Sequence, residues 1–261
     1  MHLVVPPQIK KEELHLWWAS LRDFDLAVPA LWSVLSSWER ARAERFRLPR
    51  DKDDFIIRHG MLRMLLGAYV GCSPSRLDFY MGPNGKPEPN RHFETDGIHF
   101  NLSHSGDVAL YGFTGACPIG VDIEQIQQVP HCERVAGETF SQAETESLMA
   151  LPKELRISRF FDLWTRKEAL LKAAGNGLQS CRKARPRLVP QPDASTLAQS
   201  SSPADAPAEW HIHSFSPREG YVAAVAFQKP GLDLIFRTTP TFFSEELRDP
   251  IRTDLRVRTG T

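Results

Sequence analysis

Two hydrophobic periods run along this chain, in no regular order. "HLWWASL" (His15 to Leu21) alternates with period two and predicts a strand. "PALWSVLSSWERARAERF" (Pro29 to Phe46) has helical spacing, with Trp38, Arg42 and Arg45 at i, i+4 and i+7. "DDFIIRHGMLRMLLGAYVG" (Asp53 to Gly71) predicts a long amphipathic helix stopped by Gly71. "LDFYMGPNGKPEP" (Leu77 to Pro89) reads as a strand and a Gly/Pro turn. "GIHFNLSHSGDVALYGFT" (Gly97 to Thr114) reads as two strands around a polar tip. The second half repeats this grammar. "IGVDIE" (Ile119 to Glu124) is a strand, and "SQAETESLMAL" (Ser141 to Leu151) is a helix whose Ser141 and Glu144 form a capping box. "ISRFFDLWTRKEALLKAAG" (Ile157 to Gly175) is a second long helix, followed by strands at "EWHIHSF" (Glu209 to Phe215) and "GYVAAVAFQK" (Gly220 to Lys229). Strands and helices mix without a βαβ rhythm, which predicts an α+β fold rather than a doubly wound sheet.

The pattern fades twice. Residues 189–209 are rich in Pro, Ser, Ala and Asp and predict a loose surface insertion. Residues 241–261 form a charged tail expected to be peripheral. The expected division is 1–116, 117–240 and the tail at 241–261, each half being one or two long helices against a few mostly antiparallel strands.

Composition narrows the classes. The chain has 261 residues, 41% hydrophobic and 25% charged, which is ordinary globular usage. Lys+Arg and Asp+Glu both number 32, so nothing global points to nucleic acid or a membrane surface. The four cysteines include no C-x-x-C pair, so neither a zinc ribbon nor a redox motif is indicated and free thiols are expected. No basic leader with an apolar core and no 18-residue apolar run occurs, so the expectation is a soluble, cytoplasmic protein.

The chemistry concentrates in a few places. In "GVDIE", Asp122 and Glu124 share one face of a strand, roughly 6.5–7 Å apart along it. Two like charges side by side need water or a cation. On the second long helix Phe161, Trp164, Glu168 and Leu171 form one stripe, with Lys172 four residues after Glu168. A solvated Glu-Lys pair and a functional carboxylate both fit that spacing. His104 sits between Ser103 and Ser105 at a hairpin tip; in isolation it is a turn histidine, in company an anion contact. Lys86, between Gly85 and Pro87, lacks the phosphate-loop pattern and alone would be a solvated turn lysine. Arg58 and Arg63 fall in an apolar helix and call for a fixed role. Carboxylates for a hard cation, with Lys, Arg and His for phosphates, suit magnesium and a phosphorylated substrate.

"GVDIE" (120–124), "FSQAETESLMAL" (140–151) and "FFDLWTRKEALLKAAGNGL" (160–178) together resemble the signature of the 4′-phosphopantetheinyl transferases. "GKPEP" (85–89), "FNLSHSG" (100–106) and "ERFRLPRDKDDFIIRHGMLRMLLG" (44–67) resemble further motifs of its longer, surfactin-synthetase-activating branch. The resemblance implies two similar, pseudo-symmetric subdomains with coenzyme A and magnesium in the cleft between them. It implies transfer of the phosphopantetheine arm from coenzyme A to a serine of an apo acyl or peptidyl carrier protein, with release of 3′,5′-ADP. By position, it makes Asp122, Glu124 and Glu168 magnesium ligands and Glu168 the base. It turns Lys172, His104 and Ser103 to phosphates, Lys86 and Pro87 to the adenine nucleotide, and Arg58 to the 3′-phosphate. Arg40, Arg42 and Arg45 stand where some members carry phosphate-contacting lysines. A complete cleft in one chain implies a monomer. Two rivals use the same groups: a non-catalytic coenzyme A-binding module and a magnesium-dependent phosphoanhydride hydrolase. The carrier is not identified by these residues.

Overall fold

The computed structural model describes residues 8–81, 87–89, 97–175, 187–190, 195–199, 209–238 and 255–258. The chain divides into two compact units. The first comprises 1–102, 107–116 and 233–257; the second comprises 103–106, 117–232 and 258–261. Helices and small, mostly antiparallel sheets make the class α+β.

In the first unit, β1 (Glu13–Ser20) is buried along nearly its whole length. A strand covered on both faces also needs partners on both edges. The hairpin strand β5 (Val108–Thr114), preceded by β4 (His99–Ser105), supplies one, running antiparallel with Trp17 opposite Tyr111. The other is β11 (Asp233–Thr238), which is parallel, with Leu14 opposite Leu234. Residues 233–238 were expected in the second subdomain. Hydrophobic alternation marks them as a strand but carries no address, and the open edge of β1 decides where they go. Beyond β11 lies β12 (Leu255–Arg258), so part of the expected tail belongs to the sheet.

The helical layer of this unit is α1 (Val28–Val34), α2 (Ser37–Ala43) and α3 (Pro49–Tyr69). The single helix expected over Pro29 to Phe46 is two, because Leu35 is extended and Ser36 caps a fresh helix start. Gly71 adopts φ +64° just beyond α3, as a helix stop requires. The helix is not one-sided, however: Asp54 to Gly67 are buried with the single exception of Arg58. At Gly60 an added Cβ would lie 2.7 Å from the Cβ of Leu31, so α1 and α3 meet where no side chain intervenes. A short hairpin pairs β2 (Phe79–Met81) with β3 (Pro87–Pro89).

The second unit packs α4 (Cys132–Thr139), α5 (Gln142–Met149) and α6 (Lys153–Ala173) on the sheet β6-β10-β9-β8-β7. Its strands are β6 (Ile119–Gln125), β7 (Arg187–Pro190), β8 (Ser195–Gln199), β9 (Glu209–Phe215) and β10 (Tyr221–Phe227). The segment read as a loose insertion therefore contains β8 and the end of β7, paired from Arg187–Gln199 to Pro190–Thr196. The free edge of β9 takes up a polar strand whose composition alone shows no apolar face. Val222, Ala224 and Ala226 of β10 share the α6 face with Trp210 and Ile212 of β9. Against them α6 buries Phe160, Phe161, Leu163 and Leu170. Each such side chain contributes about 1.5–3 kcal/mol on leaving water.

Candidate active site in the second unit

Register settles which way the carboxylates point. In the antiparallel pair of β6 and β10, Asp122 lies opposite Ala224 and Glu124 opposite Val222. Directly opposed residues share a face, so Gly120, Asp122 and Glu124 look toward α6 rather than toward bulk water. Val121 and Ile123 turn the other way and are fully buried. Gly120 makes the approach possible. A Cβ there would overlap the carbonyl oxygen of Ala169 and the amide nitrogen of Ala173, and would lie 2.9 Å from the Cβ of Lys172. The bare backbone lets α6 settle onto β6 and bring Lys172 over the strand.

Lys172 Nζ donates to Asp122 Oδ1 at 2.6 Å, Ser103 Oγ at 2.9 Å and the Val121 carbonyl at 3.2 Å. The Ser103 hydroxyl also donates to Asp122 Oδ1, at 2.9 Å. Asp122 Oδ2 is buried and has no hydrogen-bond partner among the described residues. Burial raises the Asp122 carboxyl, while Lys172 and Ser103 oppose the rise. Burial also raises Glu124; the Ser105 hydroxyl opposes it, and the charge of Asp122 adds to it. Glu168 is pushed up to about 7, first by burial, then by Asp122 and Glu124, with Lys172 pulling the other way. Three carboxylates thus feel one another around one ammonium.

Such a set fits a hard cation. All three groups offer oxygen, and one buried oxygen is unpartnered. The described residues do not form a ready cage of three or more His, Cys, Asp or Glu side chains. Magnesium does not require one, since it is held by one or two carboxylates plus waters and substrate phosphates.

The hairpin tip brings Ser103, His104 and Ser105 into this unit, and His104 is exposed there. Arg58 belongs to α3 in the first unit; burial lowers its pKa, against the charges of Tyr111, Asp54 and Asp51. Lys86 lies outside the described residues, and Pro87 is described only through the backbone of β3. Arg40 is committed elsewhere, donating to the carbonyls of Trp32 and Ser33 at the end of α1. Arg63 is fully buried and structural, bonded to Glu39 and to the carbonyls of Pro74 and Leu77.

Two groups escaped the sequence reading. Ser105 donates to Glu124 Oε2 at 2.6 Å, a partnership foreshadowed only by the two-residue spacing it shares with Asp122 and Glu124. Lys167, 2% exposed, pairs with Glu144 Oε2 at 3.0 Å. No periodicity marks a lysine as buried.

Comparison with known proteins finds relatives of this chain. The profile of the 4′-phosphopantetheinyl transferase superfamily matches residues 118–226, which hold β6, α6 and all but the last residue of β10. The 4′-phosphopantetheinyl transferase HetI of a Nostoc species is 35% identical over 223 residues, covering 85% of this chain and 91% of that protein. The 4′-phosphopantetheinyl transferase psf-1 of Bacillus pumilus is 30% identical, covering 74% of this chain and 78% of its own. The 4′-phosphopantetheinyl transferase Sfp of Bacillus subtilis is 30% identical over 56% of this chain and 62% of its own. With GVDIE folded against the WTRKEALLK helix and a relative matched over nearly its full length, the chain belongs to the 4′-phosphopantetheinyl transferase superfamily.

Proposed function

We infer that this chain transfers the 4′-phosphopantetheine arm of coenzyme A to a serine of an apo acyl or peptidyl carrier protein and releases 3′,5′-ADP. The observation that carries the reading is the cluster of Asp122, Glu124 and Glu168 around Lys172, in a chain 35% identical over 223 residues to a named transferase. Asp122, Glu124 and Glu168 are assigned to a magnesium ion, and the buried Asp122 Oδ2 lacks a hydrogen-bond partner among the described residues. Magnesium, when bound, offsets the pyrophosphate charge and the charge developing on the leaving 3′,5′-ADP. Lys172, with Ser103 and His104, is assigned to the coenzyme A phosphates. Arg58 is assigned to the 3′-phosphate, and Lys86 with Pro87 to the adenine nucleotide.

Glu168, with its raised affinity for protons, takes the proton of the carrier serine. The serine oxygen bonds to the phosphorus that bears the pantetheine arm, and the bond from that phosphorus to the 3′,5′-ADP oxygen breaks. Two similar subdomains related by duplication, a monomeric state and a cytoplasmic location complete the reading. The matched capping devices of the two units support the duplication, and no described helix is long and apolar enough to cross a membrane.

The test is intact-mass spectrometry of an apo carrier protein incubated with the chain, coenzyme A and magnesium. A gain of one phosphopantetheine, lost on chelation, supports both reaction and metal. Free phosphopantetheine without a carrier would mean hydrolysis instead. No gain with several carrier types, while coenzyme A still bound, would leave a binding module.

A further inference from the structure

The hairpin tip meets β6 in matched register. Residues 103 and 105 lie two apart on β4, as do 122 and 124 on β6, so each pair presents one face at roughly the same 6.5–7 Å spacing. Ser103 meets Asp122, and Ser105 meets Glu124. The two serines differ in what else they touch. Ser103 shares Lys172, a phosphate-binding candidate. Ser105 instead accepts the backbone N–H of Gln125 at 3.1 Å. With that amide occupying a lone pair, the Ser105 proton is directed to Glu124 Oε2 at 2.6 Å. The tip itself is pinned. Gly106 has φ +53°, and a Cβ there would lie 2.6 Å from Gln125 Oε1 and 2.7 Å from the Tyr221 hydroxyl. The turn therefore packs closely against β6 and β10, with Ser105 held beside Glu124.

We propose that Ser105 is a positioning residue for Glu124. The relay from the Gln125 amide through the Ser105 hydroxyl anchors one carboxylate oxygen, so that the glutamate meets a divalent cation already oriented. Groups that orient a metal ligand in this way are worth about ten- to a hundred-fold in metal affinity. The proposal rests on the reading of Asp122, Glu124 and Glu168 as the metal carboxylates.

The test titrates Mn²⁺, in the presence of coenzyme A, against the full chain and reads free Mn²⁺ by electron paramagnetic resonance. It compares Ser105→Val with Ser105→Thr, two side chains of one shape that differ in the hydroxyl, and with Glu124→Gln. The expected result is Mn²⁺ binding weakened about ten- to a hundred-fold in Ser105→Val and restored to within about threefold in Ser105→Thr. The thermal midpoints of these two variants should agree within about 2 °C. The magnesium concentration for half-maximal transfer should shift by the same factor. Equal Mn²⁺ affinity in Ser105→Val and Ser105→Thr, with Glu124→Gln impaired, would overturn the positioning role and leave the metal reading intact. Unchanged affinity in Glu124→Gln would overturn the assignment of Glu124, and the Ser105 proposal with it.

Discussion

The two units share one device and use it to different ends. In the first, Ser36 and Glu39 close a capping box on the short helix α2, and the buried Glu39 then pairs with Arg63 of the 21-residue α3. In the second, Ser141 and Glu144 close a capping box on the short helix α5, and the buried Glu144 pairs with Lys167 of the 21-residue α6. Each device locks a short helix onto a long one through a charge that would be costly if left alone. Beyond it the units diverge. The buried carboxylates of the first unit are answered: Glu39 by Arg63 and His59, Asp54 by Arg22 and Arg50. In the second unit Asp122, Glu124 and Glu168 feel one another around Lys172. The pKa directions record the contrast. Glu39 would be raised by burial, but the His59 hydrogen bond and the Arg63 charge bring it down to about 2. Glu168 rises to about 7. Matched charge holds helices together in the first unit; in the second, three carboxylates share one ammonium, as the proposed cation site requires.

Breaking the shared device should give the largest effect. Arg63→Met leaves Glu39 buried without its guanidinium, and urea unfolding should show a loss of about 3–5 kcal/mol. Lys167→Met should act the same way but less, because Glu144 is nearer the surface, 8% exposed against 2% for Glu39. Equal, negligible losses in both would mean that neither pair locks its helices.

Glu168→Gln should separate site from scaffold. Carrier modification should fall about 10²–10⁴-fold, as when a general base is removed. The thermal midpoint of the metal-free protein should hold or rise, since one of three repelling charges has gone. A fall in both would make Glu168 structural.

The pH dependence of stability should have opposite slopes in the two units. Glu39 binds protons less readily folded than unfolded, with a folded pKa of about 2 against 4.5. Its contribution, on the order of 3 kcal/mol, is present above pH 4.5 and is lost as pH falls toward 2. Glu168 runs the other way. In metal-free protein the folded state holds its proton up to about 7, so stability declines as pH rises from 4.5 to 7. Denaturant midpoints across pH 2–8 in a chelator should show both limbs. Glu39→Gln should flatten only the acid limb and Glu168→Gln only the neutral one.

How far the residues announce this outcome differs by element. The capping box at Ser141 and Glu144 and the helix stops at Gly71 and Gly175 are legible, because they depend on backbone needs met within a few residues. The pairing of Asp122 and Glu124 on one strand face is legible for the same local reason. The break at Leu35 is not, since helical spacing continues through it. Nor is the burial of Lys167, whose partner lies 23 positions earlier, nor the grip of Ser105 on Glu124 across 19.

Sequence alone determined the short-range grammar and, through its motifs, the family to which the chain belongs. Tertiary structure decided which edge of β1 received residues 233–238, which face of β6 met α6, and which serine holds which carboxylate. The reason is one of range. Periodicity and caps express forces acting over one or two turns, whereas sheet edges and buried charges are satisfied by whatever partner the completed chain brings, and that partner has no fixed distance in sequence.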